Sequence, residues 1–224
     1  MNEMTLIYSK KLFVGFLFLL LSGSSSPILS QETVEMENID KKVEKFLKAH
    51  RARWYDMNVP ESDGKVLYDL IIKNKYQKAL EIGTSTGHSG VWIAWALSKT
   101  GGKLTTVEID PDRYNTALAN FREAGLSKYI DARLADAHDL VEELQGPFDF
   151  IFSDADKDWY TKYFIALAPK LRVGGCFTAH NVSWKYDRNI RAFLNYVKSR
   201  QNFETTINTA SSEGISISYK RAEK

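Results

Sequence analysis

Polar side chains that can bind a metal ion or move a proton follow two apolar segments of the sequence. The segment GCFTAHN ends in His180 and Asn181, and FDFIFSDADK ends in Asp154, Asp156 and Lys157. If both segments are strands of one parallel sheet, their carboxyl ends lie at the same edge, where α/β proteins bind ligands. We therefore expect these side chains to share a site, although an acidic cluster can also be a solvated loop.

A glycine-rich segment marks a second part of the same edge. LEIGTSTGHSG places Glu81 and Gly83 before a helix, and Gly83 and Gly87 let the backbone turn tightly beside a ligand. The spacing is not the dinucleotide fingerprint Gly-x-Gly-x-x-Gly, which argues against a nicotinamide-dependent dehydrogenase. His88, in the same segment, is not expected to be catalytic.

Two further apolar segments end in acids. TTVE ends in Glu108, about 20 residues after the glycines, where a carboxylate can accept both hydroxyls of a ribose. LADA ends in Asp136 and Ala137, which can border an adenine. Asp136 can equally cap the helix that follows.

The elements that must position these residues alternate between short apolar segments and amphipathic segments. Two helices are expected first, and Ser62 or Asp63 is expected to cap the second. Strands then begin near residues 78, 103, 130, 148 and 175, with a helix after each, including one over WYTKYFIALAPKL. FETTINTA and GISISYK flank a turn and predict a hairpin. The pattern predicts a doubly wound, Rossmann-like α/β fold with a mostly parallel sheet and a C-terminal antiparallel hairpin.

Composition limits the class of protein. The 224 residues are 44% hydrophobic and 26% charged, which is typical of one globular domain. The net charge is +2, and no basic run is interleaved with aromatic residues, so nucleic acid is not an expected partner. Cys176 is the only cysteine, so no internal disulfide is expected.

The N-terminus has the pattern of a secretory signal peptide. Lys10 and Lys11 precede LFVGFLFLLL, and the small residues of SGSSSPILSQ follow. The pattern predicts a signal peptide over residues 1–30, cleaved near Ser30, and a periplasmic or secreted product without stable membrane association. An uncleaved anchor or a soluble N-terminal helix are the alternatives.

Three motifs carry a resemblance to a known family. ALEIGTSTGHSG, TTVEIDPDRYNTALANFREAGL and FDFIFSDADKDWYTKYF are similar to the cation-dependent O-methyltransferases, which include catechol and caffeoyl-CoA O-methyltransferases, over roughly residues 60–220. The resemblance implies S-adenosylmethionine (SAM) as cofactor, with Gly83 and Ser89 at its methionine end, and Glu108 at its ribose. The implied cofactor residues are Glu81, Gly83, Ser89, Glu108, Asp136, Ala137, Asp154 and Asp156.

The resemblance also implies an organisation and a substrate class. Residues 31–60 would be a helical segment that covers the substrate, and residues 61–224 the SAM-dependent methyltransferase domain. The acceptor would be a small aromatic hydroxyl compound, and a homodimer is possible. Aromatic residues near the site can form its pocket or belong to the core, and Trp184 is the expected substrate contact. The other aromatic residues that can belong to the pocket or to the core are Trp54, Tyr55, Trp159, Tyr160 and Tyr186.

One position departs from the family pattern. The resemblance implies a divalent cation, Mg²⁺ or Mn²⁺, held by Asp154 and by an Asp-Asn pair that here reads His180-Asn181. Imidazole favours Mn²⁺, Fe²⁺ or Zn²⁺ over Mg²⁺. His180 is therefore a metal ligand with altered preference, the general base of a metal-free site, or a structural residue. Lys157 matches the family's catalytic lysine and is the competing base, unless it pairs with Asp156 or Asp158.

The resemblance as a whole implies methyl transfer from SAM to a hydroxyl of a catechol-like or phenolic acceptor, assisted by a metal. The alternatives are a metal-independent methyltransferase with His180 as base and a protein that binds SAM without catalysis.

Overall fold

The computed structural model of the protein describes residues 27–54, 56–184 and 186–223. Most of the predicted signal segment, residues 1–26, lies outside this part, as does Tyr55. The first described helix begins at Pro27 and passes through the cleavage site expected near Ser30. Among the residues that the structure describes, no helix has the length and apolar character needed to cross a membrane.

Helices and strands alternate along the described part of the chain. The helices are α1 (Pro27–His50), α2 (Glu61–Asn74), α3 (His88–Thr100), α4 (Pro111–Glu123), α5 (Ala137–Glu143), α6 (Tyr160–Leu167) and α7 (Arg188–Ser199). The strands are β1 (Lys78–Ile82), β2 (Lys103–Glu108), β3 (Ile130–Leu134), β4 (Phe148–Ser153), β5 (Leu171–His180), β6 (Phe203–Asn208) and β7 (Ile215–Lys220).

The strands form one sheet in the order β3-β2-β1-β4-β5-β7-β6. The first five strands in sequence pair in parallel, and β7 pairs antiparallel with both β5 and β6. The predicted Rossmann-like fold with a C-terminal antiparallel hairpin is confirmed. The carboxyl ends of β1 to β5 consequently meet at one edge of the sheet.

Helices cover both faces of this sheet. On one face, α2 and α3 bury Leu67 and Leu97, and on the other, α6 and α7 bury Phe164 and Phe193. Val43 of α1 joins a third apolar cluster with residues of α3 and α4. Burial of each large apolar side chain contributes roughly 1.5–3 kcal/mol. Packing on both faces therefore fixes the strands and leaves their carboxyl edge to bind ligands.

Three local expectations were wrong. The helix expected through Leu171 ends at Leu167, because Pro169 cannot continue it, and β5 begins at Leu171, ahead of the expected residue 175. Pro60 precedes α2, and no side chain caps this helix. Asp63 is instead buried in its first turn, with its carboxylate directed to the end of β5.

Candidate active site

A cavity of about 600 Å³ opens at the carboxyl edge of the sheet, a volume within the usual range for a small-molecule site. The loop before α2 and the turn between β6 and β7 also line it. The predicted site residues in its wall are Gly83, Glu108, Asp136, Ala137, Asp154, Asp156, Lys157, His180, Asn181 and Trp184. One cavity therefore joins the glycine segment to the polar ends of β4 and β5.

The turn after β1 requires glycine. Gly83 has φ +93°, and a Cβ there would lie 2.7 Å from the carbonyl oxygen of Asp154. Gly87, at the start of α3, has φ +97°, and a Cβ would lie 2.7 Å from the ring of Phe121. Both positions combine a backbone conformation that favours glycine with space for no side chain. The backbone of this turn consequently forms part of the cavity wall.

Glu108 presents a fixed carboxylate at the end of β2. Its oxygens accept hydrogen bonds from the backbone N–H groups of Ser85 at 2.7 Å, and of Ile109 and Asp110 at 3.0 Å each. A carboxylate has about four acceptor positions, so one remains for a ligand hydroxyl. Glu108 is buried yet lines the cavity, as a ribose contact requires.

Glu81 and Ser89 lie behind the glycine turn and not in the cavity wall. Glu81 is fully buried, and its Oε2 accepts a hydrogen bond from Thr106 Oγ1 at 2.6 Å, whereas its Oε1 has no partner. Burial raises the pKa of Glu81 to about 7, against the lowering effect of its hydrogen bonds. Direct cofactor contact by Glu81 and Ser89 stays a prediction.

Asp136 both caps α5 and lines the cavity. It accepts a hydrogen bond from the backbone N–H of His138 at 2.8 Å, so the capping alternative is realised without removing Asp136 from the cavity wall. The ring of His138 contacts Asp156 at 3.0 Å and stacks on Trp159 at 3.7 Å between centroids. His138 thus supports this end of the cavity, a role that the sequence gave no reason to expect.

At the other end, four side chains form what we call the acceptor-end network: Lys157, Asp154, His180 and Asp63. Lys157 Nζ donates to Asp154 Oδ1 at 2.8 Å and to the carbonyl oxygen of Ala155 at 3.1 Å. Lys157 therefore pairs with Asp154 and not with Asp156 or Asp158, the partners that the sequence suggested.

His180 lies between two carboxylates of this network. Its Nδ1 is 3.1 Å from Asp154 Oδ2, and its Nε2 is 2.8 Å from Asp63 Oδ2. Burial is the largest single influence on the pKa of His180 and lowers it. The hydrogen bonds and charges of Asp154 and Asp63 together outweigh burial and raise that pKa to about 9. A histidine with both nitrogens engaged by acids is a poor general base at neutral pH.

Asp63 is the main residue that sequence reasoning missed. It is 1% exposed, and it also accepts a hydrogen bond from Ser211 Oγ, in the turn between β6 and β7, at 2.6 Å. In the sequence it resembles any acidic residue of a helical first turn. Its contact with His180 spans 117 residues, so local pattern carried no signal for it.

Asn181 and Trp184 share a hydrogen-bond partner, Glu213, which the sequence did not indicate. Asn181 Nδ2 and Trp184 Nε1 donate to Glu213 Oε2 at 2.9 and 2.8 Å. Asn181 has φ +56°, a conformation that asparagine tolerates. Trp184 is 47% exposed at the cavity mouth, as a substrate contact would be.

The loop before α2 covers the cavity with residues other than the expected aromatics. Met57, Asn58 and Pro60 line the cavity, whereas Trp54 stacks on His88 at 4.4 Å, outside it. His88 Nδ1 contacts the carbonyl oxygen of Val59 at 2.8 Å and so holds this loop. His88 therefore has a structural contact, and its lack of a catalytic role stays a prediction.

Comparison with known proteins identifies the family. The family model described as O-methyltransferase matches residues 30–191. The chain is 41% identical over 130 residues to the catechol O-methyltransferase of Niastella koreensis, covering 56% of this chain and 58% of that protein. It is 37% identical over 128 residues to the caffeoyl-CoA O-methyltransferase of Stellaria longipes, covering 54% and 52%. The chain thus matches little more than half the length of these relatives.

Two solved structures of proteins described as O-methyltransferases are similar to this chain. The O-methyltransferase from Bacillus cereus in complex with SAH has a TM-score of 0.69 at 25% identity, covering 81% of this chain and 91% of that one. TomG from Streptomyces achromogenes, in complex with SAM, has a TM-score of 0.69 at 26% identity, covering 81% and 90%. Because the family model spans more than half of the sequence, the chain belongs to the O-methyltransferase family.

Proposed function

We propose that the protein transfers a methyl group from SAM to a hydroxyl of a small phenolic or catechol-like acceptor. The observation that carries this proposal is the single cavity with Gly83 and Glu108 at one end and Lys157 at the other. The names of the two relatives support the acceptor class, and the SAH and SAM of the solved structures support the cofactor.

The cofactor end fits an adenosyl ligand. Gly83 lines the cavity, and its lack of a Cβ lets the turn after β1 pack against the backbone of Asp154. Glu108 keeps an acceptor position for a ribose hydroxyl, because backbone amides occupy only part of its carboxylate. Asp136 and Ala137 line the cavity, where they would border the adenine.

The acceptor end must align a hydroxyl oxygen and stabilise its negative charge. SAM would supply an electrophilic methyl group: the acceptor oxygen would bond to the methyl carbon as the carbon–sulfur bond breaks in line, S-adenosylhomocysteine would leave, and the hydroxyl proton would pass to solvent water. Lys157 is the residue placed for this task, since an ammonium has three donors and two of them bind Asp154 and Ala155. The third can bind the acceptor oxygen, and fixed charge of this kind is a large contribution to catalysis.

The divalent cation implied by the family resemblance does not fit the contacts of the residues expected to bind it. His180 engages carboxylates through both nitrogens, and Asn181 is bound to Glu213. Among residues 27–54, 56–184 and 186–223, no cluster of three or more His, Cys, Asp or Glu side chains has the arrangement of a metal site. The roles described above therefore use only groups of the protein and of SAM.

Export, the absence of nucleic-acid partners and the formation of a homodimer stay predictions.

The test uses the purified full chain with isotopically labelled SAM and a panel of catechols and hydroxycinnamates, with calorimetry of SAM binding in parallel. Mass spectrometry of a methylated hydroxyl on at least one acceptor is the expected result. If SAM binds and no phenolic acceptor is methylated, the protein is the non-catalytic alternative or acts on another class. Failure to bind SAM overturns the proposal altogether.

A further inference from the structure

The acceptor-end network occupies the position at which the family resemblance places a divalent cation. Its members come from α2, the end of β4, the turn after β4 and the end of β5, and side-chain contacts join all four: Asp63, Asp154, Lys157 and His180. Asp63 and His180 are almost completely buried, and Lys157 at the other end lines the cavity. The network thus runs from the interior of the protein to the cavity wall.

The contacts within this network leave few donor positions for a metal. Asp154 uses one oxygen for Lys157 and the other for His180. Each nitrogen of His180 already lies within hydrogen-bond distance of a carboxylate oxygen, so neither nitrogen is open to a metal ion. A cation at Asp154 would share that carboxylate with the ammonium of Lys157, whose positive charge repels it.

The position of Asp63 explains why position 180 is a histidine and not an aspartate. A carboxylate at position 180, as the family pattern has, would face the buried carboxylate of Asp63 without a donor between them. Two such acids in contact repel each other unless one is protonated or a cation separates them. The imidazole ring places one nitrogen within hydrogen-bond distance of Asp63 and the other within hydrogen-bond distance of Asp154, so a single side chain contacts both acids. Ser211 adds a second donor to Asp63.

We propose that His180, held by Asp63, takes the place of the divalent cation, so that methyl transfer in this protein proceeds without added metal. Asp63 is then a positioning residue: it acts through His180 and Asp154 on the ammonium of Lys157. The part of this inference that concerns turnover rests on the proposed function, and the part that concerns metal binding does not.

The first experiment measures metal binding and turnover separately. The purified full chain is stripped with chelator and titrated with Mn²⁺, and electron paramagnetic resonance counts the bound ion. Methyl transfer is assayed with chelator, Mg²⁺ or Mn²⁺. We expect no stoichiometric Mn²⁺ binding and a rate in chelator within about twofold of the rate with metal. Stoichiometric Mn²⁺ binding, or transfer that requires a metal, overturns the inference.

Two variants test the roles within the network. His180→Asp removes the imidazole, and we expect it to gain a Mn²⁺ site that the unaltered protein lacks. Asp63→Asn keeps a hydrogen-bond acceptor for His180 but loses the charge. We expect it to lower kcat by about 10- to 100-fold at unchanged SAM affinity, because small displacements of a reacting group cost that much. Asp69→Asn, an exposed position on the same helix, should change neither quantity.

The outcomes separate this inference from the proposed function. Should no acceptor be methylated under any condition, the Mn²⁺ titrations of the unaltered protein and of His180→Asp still decide the metal question. Should His180→Asp fail to fold, Asp63→Asn decides the positioning role through kcat. An Asp63→Asn variant with unaltered kcat, or with kcat and SAM affinity reduced together, contradicts that role.

Discussion

The two ends of the cavity are built in different ways. At the cofactor end, most of these contacts are close in sequence: Glu108 binds the N–H groups of the next two residues as well as that of Ser85, 23 residues away, and Asp136 binds that of His138. At the acceptor end, Asp63 meets His180 and Ser211 across 117 and 148 residues. The first end depends on local backbone geometry, whereas the second depends on the whole fold bringing side chains together. The cofactor end can therefore follow a family pattern while the acceptor end departs from it.

Removal of Asp63 should have the largest effect on the acceptor end. Asp63→Ala leaves His180 without one partner in a buried site, which costs about 3–5 kcal/mol of unfolding free energy. For a protein of this size the melting temperature should fall by about 6–20 °C. Thermal unfolding followed by circular dichroism measures it. Asp69→Ala, whose partner Lys65 is exposed, should stay within about 0.5 kcal/mol. Equal stability of the two variants would show that the acceptor-end network does not stabilise the fold.

Lys157 should control turnover and not cofactor binding. Lys157→Met removes the ammonium that we propose binds the acceptor oxygen, so kcat should fall by about 10²–10³-fold with SAM affinity unchanged. Steady-state kinetics and calorimetry measure the two quantities. Lys65→Met, an exposed lysine on α2, is the matched control. A decrease in kcat of less than about tenfold would assign charge stabilisation to another residue.

His88 supports the loop that covers the cavity and should make stability fall in acid. Burial, the largest influence, lowers the pKa of His88 to about 4, although the contact with Val59 raises it. The folded pKa lies below the ordinary 6.5, so this contribution is complete above about pH 6.5 and is lost as the pH falls towards 4. The loss reaches about 3 kcal/mol at most.

Denaturant unfolding between about pH 7.5 and 4.5 measures this slope. Carboxylates elsewhere contribute to acid unfolding in any variant, so the comparison is with His88→Phe. This variant retains an aromatic ring against Trp54 and cannot titrate. It should be less stable at neutral pH, because the contacts with Val59 and Trp92 are lost, but its stability should fall less steeply. Parallel slopes would mean that His88 does not limit acid stability.

Glu108 should control cofactor affinity, the reverse of Lys157. Glu108→Gln weakens charged hydrogen bonds worth about 1.5–3 kcal/mol, so the Kd for SAM should rise by about 10- to 100-fold. The kcat at saturating SAM should change little, because Glu108 lies at the end away from Lys157. Calorimetry with SAM, and Asp112→Asn as an exposed control on α4, complete the test. An unchanged Kd would place the ribose contact elsewhere.

The same contrast explains what the sequence could predict. Periodic apolar segments predicted the sheet and most helices, and the glycine turn with Glu108 and Asp136 formed recognisable local motifs that the cavity brings together. The predicted start of β5 was wrong because Gly174 and Gly175 interrupt the apolar pattern of its first residues. Asp63 and Glu213 could not be found, because their partners lie far away in sequence and neither belongs to a motif.

Trp184 tests whether the acceptor binds at the mouth of the cavity, and its expected effect is the smallest. Its ring is half exposed and fixed by Glu213, so it can stack on an aromatic acceptor with about 0.5–1.5 kcal/mol. Trp184→Ala should therefore raise the acceptor KM by about threefold to tenfold and leave kcat and the SAM affinity unaltered. Tyr186→Ala is the control, because Tyr186 is 97% exposed and outside the cavity wall. An effect on kcat instead would mean that Trp184 positions Asn181 and the end of β5 through Glu213. The substrate would then bind deeper, between Met57 and the acceptor-end network.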